Sequence, residues 1–215
     1  MVFDLDGVLL ESESRWTSVE TELFARYGRP YGKKEKLALI GTGLGHSGTK
    51  FEAMLEQPGR AAELLEELIE LAAEDFASGL EAMPGAVELV AELRDLERPM
   101  AVASNSFHRL VDIALKGSAF AGAFDVIVAV DDVENPKPAP DLFLEACSRL
   151  DVRPSQAIAI EDTPTGVASA RAAGMFVIGI PSVDEVRLDQ ADLVATSLMD
   201  PPVRRALGLP VTSGS

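Results

Sequence analysis

Cysteine and histidine are scarce in this 215-residue chain, and their scarcity narrows the chemistry open to it. A single cysteine, Cys147, leaves no partner for an intramolecular disulfide, which is typical of a reducing compartment. A nucleophilic cysteine needs a base beside it, and the only histidines are His46 and His108. We therefore expect Cys147 to be a buried structural thiol.

Basic residues are also in short supply. The chain has 19 Lys and Arg against 35 Asp and Glu, a net charge of −16, which argues against a nucleic-acid or anionic-membrane partner. No apolar run approaches the ~20 residues of a membrane span, and no basic-then-apolar leader is present. We expect a cytoplasmic protein without nucleic-acid or membrane partners, either a monomer or a homodimer.

Short apolar runs alternate with amphipathic stretches along most of the sequence. The runs are mostly continuous, which favours parallel strands covered on both faces. The predicted strands are Met1–Leu5, Pro99–Ser104, Phe124–Val130, Ala157–Ile160, Met175–Ile180 and a weaker Asp192–Ala195. The predicted helices are Ala86–Leu96, Phe107–Leu115, Pro140–Leu150 and Thr165–Ala173. This order predicts an α/β fold with an open, Rossmann-like parallel sheet.

One long segment, from Glu13 to Met83, breaks this rhythm. It contains no convincing strand, only helix-like stretches such as Glu13–Tyr27 and Arg60–Ser78. We predict a helical cap over residues 13–83, inserted into a core of residues 1–12 and 84–215. Its junctions are expected near Leu10–Glu13 and Gly79–Gly85.

Polar residues follow four of the predicted strands, where ligands bind in open parallel sheets. Asp4 and Asp6 follow the first strand, and two carboxylates there are costly unless they hold a cation or do chemistry. The other three sets are Ser104-Asn105-Ser106, Lys137 between prolines, and Glu161-Asp162. Each set alone has an explanation that needs no function: an acidic turn for the two aspartates, helix caps for the serine and acidic sets, and a solvated side chain for the lysine. All of these explanations would have to hold together at one edge of the sheet.

The combined residue types suit phosphoryl transfer. They supply a carboxylate nucleophile, a second carboxylate for proton transfer, and a hydroxyl and an ammonium to neutralise phosphoryl oxygens. The remaining carboxylates offer hard oxygen ligands of the kind that Mg²⁺ prefers. The sequence therefore predicts a magnesium-assisted phosphoryl-transfer site.

These segments, in this order, resemble the four motifs of the haloacid dehalogenase superfamily of phosphohydrolases. The matching stretches are Asp4-Leu5-Asp6-Gly7-Val8, Ser104-Asn105-Ser106, Lys137-Pro138-Ala139-Pro140-Asp141 and Glu161-Asp162-Thr163-Pro164-Thr165-Gly166. The resemblance covers essentially the whole chain. The position and helical content of the cap are similar to the branch that contains sugar-phosphate phosphatases and β-phosphoglucomutase.

The resemblance implies a role for each motif residue. Asp4 would attack phosphorus and form an aspartyl-phosphate, while Asp6 would protonate the leaving oxygen and then activate water. The phosphoryl oxygens would be held by Ser104, Asn105 and Lys137, and Mg²⁺ by Asp4, Asp6 through its main-chain carbonyl, Asp162 and, as a further or supporting ligand, Glu161. The implied activity is Mg²⁺-dependent hydrolysis of a small phosphorylated metabolite such as a sugar phosphate.

Other functions stay open at this point. Mutases similar to β-phosphoglucomutase carry a His in the first cap helix and a Lys after the second-motif serine, where this sequence has Trp16 and Phe107. A receiver-like phospho-acceptor domain combines the same residue types but is shorter and lacks a helical insertion. A non-catalytic acidic binding protein with this fold would not need all the motif residues.

Substrate selection is expected to come from the cap. Gly43, Gly45 and Gly48 satisfy a GxGxxG pattern, but no strand–turn–helix unit surrounds them, so a dinucleotide site is not predicted. By resemblance, a loop here would close over the substrate. The candidate cap contacts are Arg15, Thr42, His46 and Lys50.

Overall fold

A parallel sheet forms the centre of the computed structural model, which describes residues 1–39, 44–182 and 186–211. The strands are β1 (Val2–Phe3), β2 (Leu10–Glu11), β3 (Glu81–Ala82), β4 (Ala101–Ala103), β5 (Val126–Val128), β6 (Ile158–Glu161), β7 (Phe176–Gly179) and β8 (Leu193–Val194). The sheet has the order β5–β4–β1–β6–β7–β8, and its neighbouring strands all pair in parallel. The predicted strands and the predicted Rossmann-like α/β fold are confirmed.

Helices flank the sheet and fill the insertion. They are α1 (Glu13–Arg26), α2 (Lys33–Leu39), α3 (Leu44–Met54), α4 (Ala61–Phe76), α5 (Ala86–Asp95), α6 (His108–Lys116), α7 (Asp141–Arg149), α8 (Pro164–Ala172) and α9 (Pro201–Ala206). Thr163 caps α8 by accepting a hydrogen bond from the N–H of Gly166, at 3.1 Å. In the described part of the chain, none of these helices has the length and apolar character needed to cross a bilayer.

Helices cover both faces of the sheet, and successive residues of a strand point to opposite faces. Val2 packs in one apolar cluster with residues of α7 and α8, and Phe3 packs in the other with residues of α5 and α6. Both residues are fully buried, which explains the continuous apolar runs of the sequence. Cys147 of α7 lies in the first cluster, and burial raises its pKa, so the expectation of a buried thiol is confirmed.

Helices α1 to α4 occupy the predicted insertion between β2 and β3. Trp16 of α1 meets Phe76 of α4 edge-to-face, with ring centroids 5.2 Å apart, and Phe24 of α1 meets Phe51 of α3 at 6.3 Å. These contacts give the insertion an apolar interior of its own. Its division from the core as a separate domain over residues 13–83 stays a prediction.

The insertion differs from expectation at its end, where no strand was predicted before Met83. Glu81–Ala82 is β3, and it pairs antiparallel with β2, Leu10 opposite Ala82 and Glu11 opposite Glu81. Two-residue strands are too short to produce a periodic pattern, so the sequence gives no sign of them. This ribbon lies at both predicted junctions.

The glycine-containing segment of the insertion is a helix in its described part, and the expectation of a loop is wrong there. Residues from Leu44 to Lys50 form the first turns of α3. Gly48 is required because a Cβ at this position would lie 2.4 Å from the carbonyl oxygen of Ala61, at the start of α4. The glycine that suggested a loop instead allows two helices to approach closely.

Candidate active site

The motif residues meet at the carboxyl edge of the sheet. Asp4, Ser104 and Asp162 directly follow the neighbouring strands β1, β4 and β6, and the N–H of Asp4 continues the ladder by donating to Ile160, at 2.9 Å. A cavity of about 320 Å³ opens here, between the sheet edge and helices α1 to α3. Its described lining includes Asp4, Asp6, Asn105, Ser106, Lys137, Asp162 and residues 163–166 from the core, with Glu13, Trp16, Thr17, Glu20, Lys36, Leu39 and Ser47 from the insertion.

Lys137 is the centre of the cavity floor. Its Nζ donates to Asp4 Oδ1 at 2.5 Å, to Glu161 Oε1 at 2.6 Å and to the carbonyl oxygen of Ala103 at 2.8 Å. The main chain of Lys137 is fixed by Asn105, whose Oδ1 accepts the Lys137 N–H at 2.9 Å and whose Nδ2 donates to the Lys137 carbonyl at 3.3 Å. All the ammonium donors are therefore used, which makes burial of this charge tolerable.

For both Lys137 and Asp4, burial shifts the pKa in one direction and the charge of the partner shifts it in the other. Desolvation lowers the pKa of Lys137, but the carboxylates of Asp4 and Glu161 outweigh it and leave the pKa raised above its ordinary value. Desolvation raises the pKa of Asp4 well above its ordinary value, although the ammonium of Lys137 opposes the shift. Lys137 is consequently charged at every physiological pH, while Asp4 depends on neighbouring cations to remain ionised.

Three carboxylates form a cluster able to hold a cation. Asp4, Glu161 and Asp162 each bring one oxygen to within 4.8 Å of the others. Asp162 Oδ1 is buried without a hydrogen-bond partner in the described structure, and desolvation followed by the charge of Glu161 raises the pKa of Asp162 to about 7. An orphaned carboxylate oxygen beside other acidic groups fits a hard divalent cation.

The first and fourth motifs are in direct contact at this cluster. Gly7 has φ of +83°, and a Cβ there would lie 2.2 Å from Asp162 Oδ2. Any other residue after Asp6 would therefore displace the Asp162 carboxylate as well as strain the turn.

Glu161 is saturated by protein donors. One oxygen accepts from Lys137, and the other accepts the N–H groups of Asp162 and Thr163 at 3.1 and 3.4 Å and the Thr163 hydroxyl at 3.2 Å. Its side chain is fully buried. These contacts suit a residue that supports Asp162 and Lys137, the lesser of the two metal roles predicted for it.

Asp6 faces the cavity and accepts from donors on three segments. Its Oδ1 accepts from the Ser12 hydroxyl and from Trp16 Nε1 at 3.3 Å, and its Oδ2 accepts from the Ser106 hydroxyl at 3.3 Å. Trp16 belongs to α1, so the insertion contacts this carboxylate directly. The carboxylate of Asp6 is not part of the three-carboxylate cluster, which fits the predicted use of its main-chain carbonyl.

The second motif differs in detail from its predicted use. Ser104 is fully buried, does not line the cavity, and its Oγ accepts the N–H of Ser106 at 3.1 Å. Phe107, not a serine, is the N-cap of α6, so helix capping does not explain either hydroxyl. The amide of Asn105 is occupied by Lys137, which leaves only the main chain of Asn105 for a phosphate.

The cap residues that line the cavity were not predicted as contacts. Glu13, Trp16, Thr17 and Glu20 share one face of α1 because they recur at helical spacing. Lys36 of α2 lies beside them, 2.6 Å from Glu13 Oε1 and 2.7 Å from Thr17 Oγ1. The i, i+3, i+4, i+7 spacing in the first cap helix was the available signal.

The structure does not bring Arg15 or Lys50, the two predicted cap contacts whose side chains it describes, to this cavity. Arg15 points to the end of α4, where it donates to Asp75 and to the carbonyl oxygen of Gly79, and Lys50 donates to the carbonyl oxygen of Ala38. Neither lines the cavity. Thr42 and the side chain of His46 lie outside the described residues.

The chain is similar to known phosphatases along nearly its full length. Residues 1–180 match the family model described as haloacid dehalogenase-like hydrolase. The validoxylamine A 7'-phosphate phosphatase of Streptomyces hygroscopicus subsp. limoneus is 32% identical, covering 93% of each chain. The fructose-1-phosphate phosphatase YqaB of Escherichia coli is 29% identical over 84% of this chain and 95% of its own. CbbY from Rhodobacter sphaeroides, solved in complex with phosphate, superposes with a TM-score of 0.81 at 28% identity, covering 91% of this chain and 92% of its own.

Proposed function

This chain belongs to the haloacid dehalogenase-like hydrolase family and is a phosphoric monoester hydrolase, and from that premise we propose that it is a Mg²⁺-dependent phosphatase of a small phosphorylated metabolite. The proposal includes an aspartyl-phosphate intermediate formed on Asp4. One observation carries it: the Asp4 carboxylate lies on the cavity floor, 2.5 Å from the buried ammonium of Lys137, with Asp6 lining the same cavity.

Each core residue has a distinct part in this proposal. Asp4 attacks phosphorus, because the ammonium of Lys137 favours the ionised form of the buried carboxylate, and the same positive charge would offset the negative charge of a bound phosphoryl group. Asp6 donates a proton to the leaving oxygen and then takes one from the attacking water. The donors from Ser12, Trp16 and Ser106 fix the orientation of the Asp6 carboxylate.

The cluster of three buried carboxylates fits Mg²⁺, which prefers hard oxygen ligands. Asp4, Asp162 and the main-chain carbonyl of Asp6 would hold the ion, with Glu161 supporting Asp162. When bound, Mg²⁺ would neutralise charge on the phosphoryl oxygens. The support for this is the buried Asp162 Oδ1, which has no protein partner in the described structure.

Hydrolysis is favoured over phosphosugar mutation by two positions in the described structure. Trp16 donates to Asp6 from the cavity wall, and Phe107 is half-buried at the N-cap of α6, packed against the core. The mutases that this sequence resembles carry His and Lys at these places. The indole N–H of Trp16 is a donor that does not titrate, so it cannot transfer a proton as His does, and the phenyl ring of Phe107 has neither the charge nor the donors of Lys.

The test is phosphate release from an aryl phosphate by protein stripped with a chelator, before and after Mg²⁺ is restored. We expect release only with Mg²⁺. Equal release in the chelator would contradict the metal assignment. The absence of release from aryl and sugar phosphates alike, with isomerisation of a sugar phosphate, would favour the mutase.

Trp16→Phe is expected to lower kcat by roughly 3- to 10-fold with a smaller change in KM. The substitution removes the indole N–H that orients Asp6, a hydrogen bond of roughly 1 kcal/mol, but keeps a ring against Phe76. Steady-state kinetics with an alkyl phosphate, whose leaving group needs the proton, measure the effect. An unchanged kcat would mean that Ser12 and Ser106 suffice to hold Asp6.

Mg²⁺ is expected to stabilise the protein more at pH 8 than at pH 5. The pKa of Asp162 is raised from 3.8 to about 7, so between these values the folded state holds a proton that the unfolded state has lost. The stability of the metal-free protein therefore falls as pH rises from about 4 to about 7. At pH 8 the ion meets an ionised carboxylate, whereas at pH 5 it must displace the proton.

Thermal unfolding with and without Mg²⁺ measures this difference. At about 100 times its Kd, the ion adds roughly 2.7 kcal/mol, or on the order of 5–10 °C in Tm at pH 8. At pH 5 the rise should be less than about half as large. Asp162→Asn is the control, because it removes both the proton and the ligand. Equal rises at the two pH values in the wild type would refute the assignment of Asp162.

A further inference from the structure

The cap wall of the active-site cavity carries a net negative charge in its described part. Its charged side chains are Glu13, Glu20 and Lys36, a sum of −1, and its other polar groups are the hydroxyls of Thr17 and Ser47 and the edge of Trp16. The organic part of a substrate whose phosphate lies on the floor must face this wall. The wall therefore determines which phosphate esters fit.

The one cation on the described cap wall is already paired. Lys36 Nζ contacts Glu13 Oε1 at 2.6 Å and Thr17 Oγ1 at 2.7 Å. A second phosphate or a carboxylate on the substrate would have to break that pair to gain a counter-ion. It would also approach Glu20, which lines the same cavity, and the two negative charges would repel.

Glu20 is held so that it faces the cavity. The Tyr31 hydroxyl donates to its Oε2, and Tyr31 itself is fixed edge-to-face on Phe24, with ring centroids 5.1 Å apart. A carboxylate fixed in this way accepts hydrogen bonds from hydroxyl or ammonium groups and offers nothing to an anion. Because Tyr31 fixes its orientation, the Glu20 carboxylate cannot rotate away from a negatively charged substrate group, which makes it selective.

We propose that this wall selects phosphate monoesters whose organic part is neutral or cationic and rich in hydrogen-bond donors, a hydroxylated or aminated carbon skeleton, and rejects esters that carry a second anionic group. Glu20 and the Glu13–Lys36 pair are the specificity-determining residues. The inference rests on the proposed phosphatase function and narrows its substrate class.

The experiment compares kcat/KM within matched pairs of esters at pH 8. Fructose 1-phosphate is paired with fructose 1,6-bisphosphate, glycerol 3-phosphate with 3-phosphoglycerate, and glucose 6-phosphate with glucosamine 6-phosphate. We expect the member with the extra anion to be at least about tenfold poorer, and the amino sugar to be equal or better.

Two variants isolate the charge. Glu20→Gln and Glu13→Gln each remove one negative charge and bring the sum on the described wall to zero, and Glu13→Gln also removes the carboxylate partner of Lys36. Each variant should reduce the discrimination by at least about threefold. Glu22→Gln is the matched control: Glu22 is on the same helix, exposed and paired with Arg26, and it does not line the cavity. Glu22→Gln should leave every ratio unchanged.

The two possible failures are distinguishable. Hydrolysis of an aryl phosphate, with equal rates for both members of the two pairs that differ by an anionic group, or with ratios unaffected by either Glu variant, would overturn this inference and leave the phosphatase function intact. Loss of hydrolysis for every ester, aryl phosphate included, would overturn the proposed function and this inference with it.

Discussion

Replacement of Asp4 by asparagine is expected to reduce phosphatase turnover by roughly four orders of magnitude or more, whichever ester is supplied. The amide is uncharged and is a poor nucleophile, so no aspartyl-phosphate can form. The variant should nevertheless fold, because Lys137 keeps its contacts with Glu161 and with the carbonyl oxygen of Ala103. Phosphate release and a melting curve on the same preparation measure both effects.

The melting temperature of Asp4→Asn distinguishes loss of the nucleophile from misfolding. Desolvation raises the pKa of Asp4 well above its ordinary value, so the folded protein is penalised for holding that carboxylate ionised. Asn removes the penalty, and we expect the melting temperature of Asp4→Asn to equal or exceed that of the wild type near pH 8. An inactive variant with a much lower melting temperature would say nothing about the nucleophile, and one with residual turnover above about 1% would refute the assignment.

Asp6→Asn is the matched comparison, because Asp6 lies in the same turn and is assigned a different role. With a dinitrophenyl phosphate, whose leaving group needs no proton, Asp6→Asn should still transfer the phosphoryl group to Asp4 but should hydrolyse the intermediate slowly. A burst of about one equivalent of dinitrophenolate is therefore expected from Asp6→Asn and none from Asp4→Asn. Identical behaviour of the two variants would mean that their roles are not divided in this way.

The core could be predicted from sequence because each of its strands shows the same pattern. Parallel strands covered on both faces give unbroken apolar runs, as at Val2–Phe3 and Ala101–Ala103, and polar residues at their carboxyl ends then fall at one edge. The β2–β3 ribbon was not predictable, because two-residue strands have no period. Gly48 was misleading because close helix packing and loop flexibility both favour glycine.

The sequence predicts which core residues form the site, but not how their side chains are oriented. The sequence places Asn105 and Glu161 at the right edge, but it does not reveal that the Asn105 amide holds the main chain of Lys137 or that Glu161 is saturated by protein donors. In the cap, a set of residues that share one helix face predicts a lining of the cavity better than a single charged residue close to the motif in sequence. Arg15 is adjacent in sequence to Trp16, yet it points to Asp75.

Lys137→Met is expected to destabilise the protein by about 3–5 kcal/mol near pH 8, besides abolishing turnover. Met matches the length of the side chain but leaves the carboxylates of Asp4 and Glu161 buried without their cation. Protonation of Asp4 limits the cost, since neutralising a carboxyl whose unfolded pKa is about 4 costs about 1.4 kcal/mol for each pH unit above it. The destabilisation should therefore shrink as pH falls from 8 to 5, because the folded variant holds a proton that the unfolded chain releases.

The double variant Lys137→Met/Asp4→Asn tests whether charge, and not packing, is the cause. If the loss comes from an unpaired carboxylate at Asp4, the second substitution should recover at least about 1 kcal/mol at pH 8 and little at pH 5. Chemical denaturation of the four proteins of this cycle at both pH values gives the coupling free energy. Additive effects, equal at the two pH values, would instead assign the loss to packing against Phe143, whose ring centroid lies 4.9 Å from Lys137 Nζ. A pH-dependent coupling would identify the Asp4–Lys137 pair as the unit that keeps the proposed nucleophile charged.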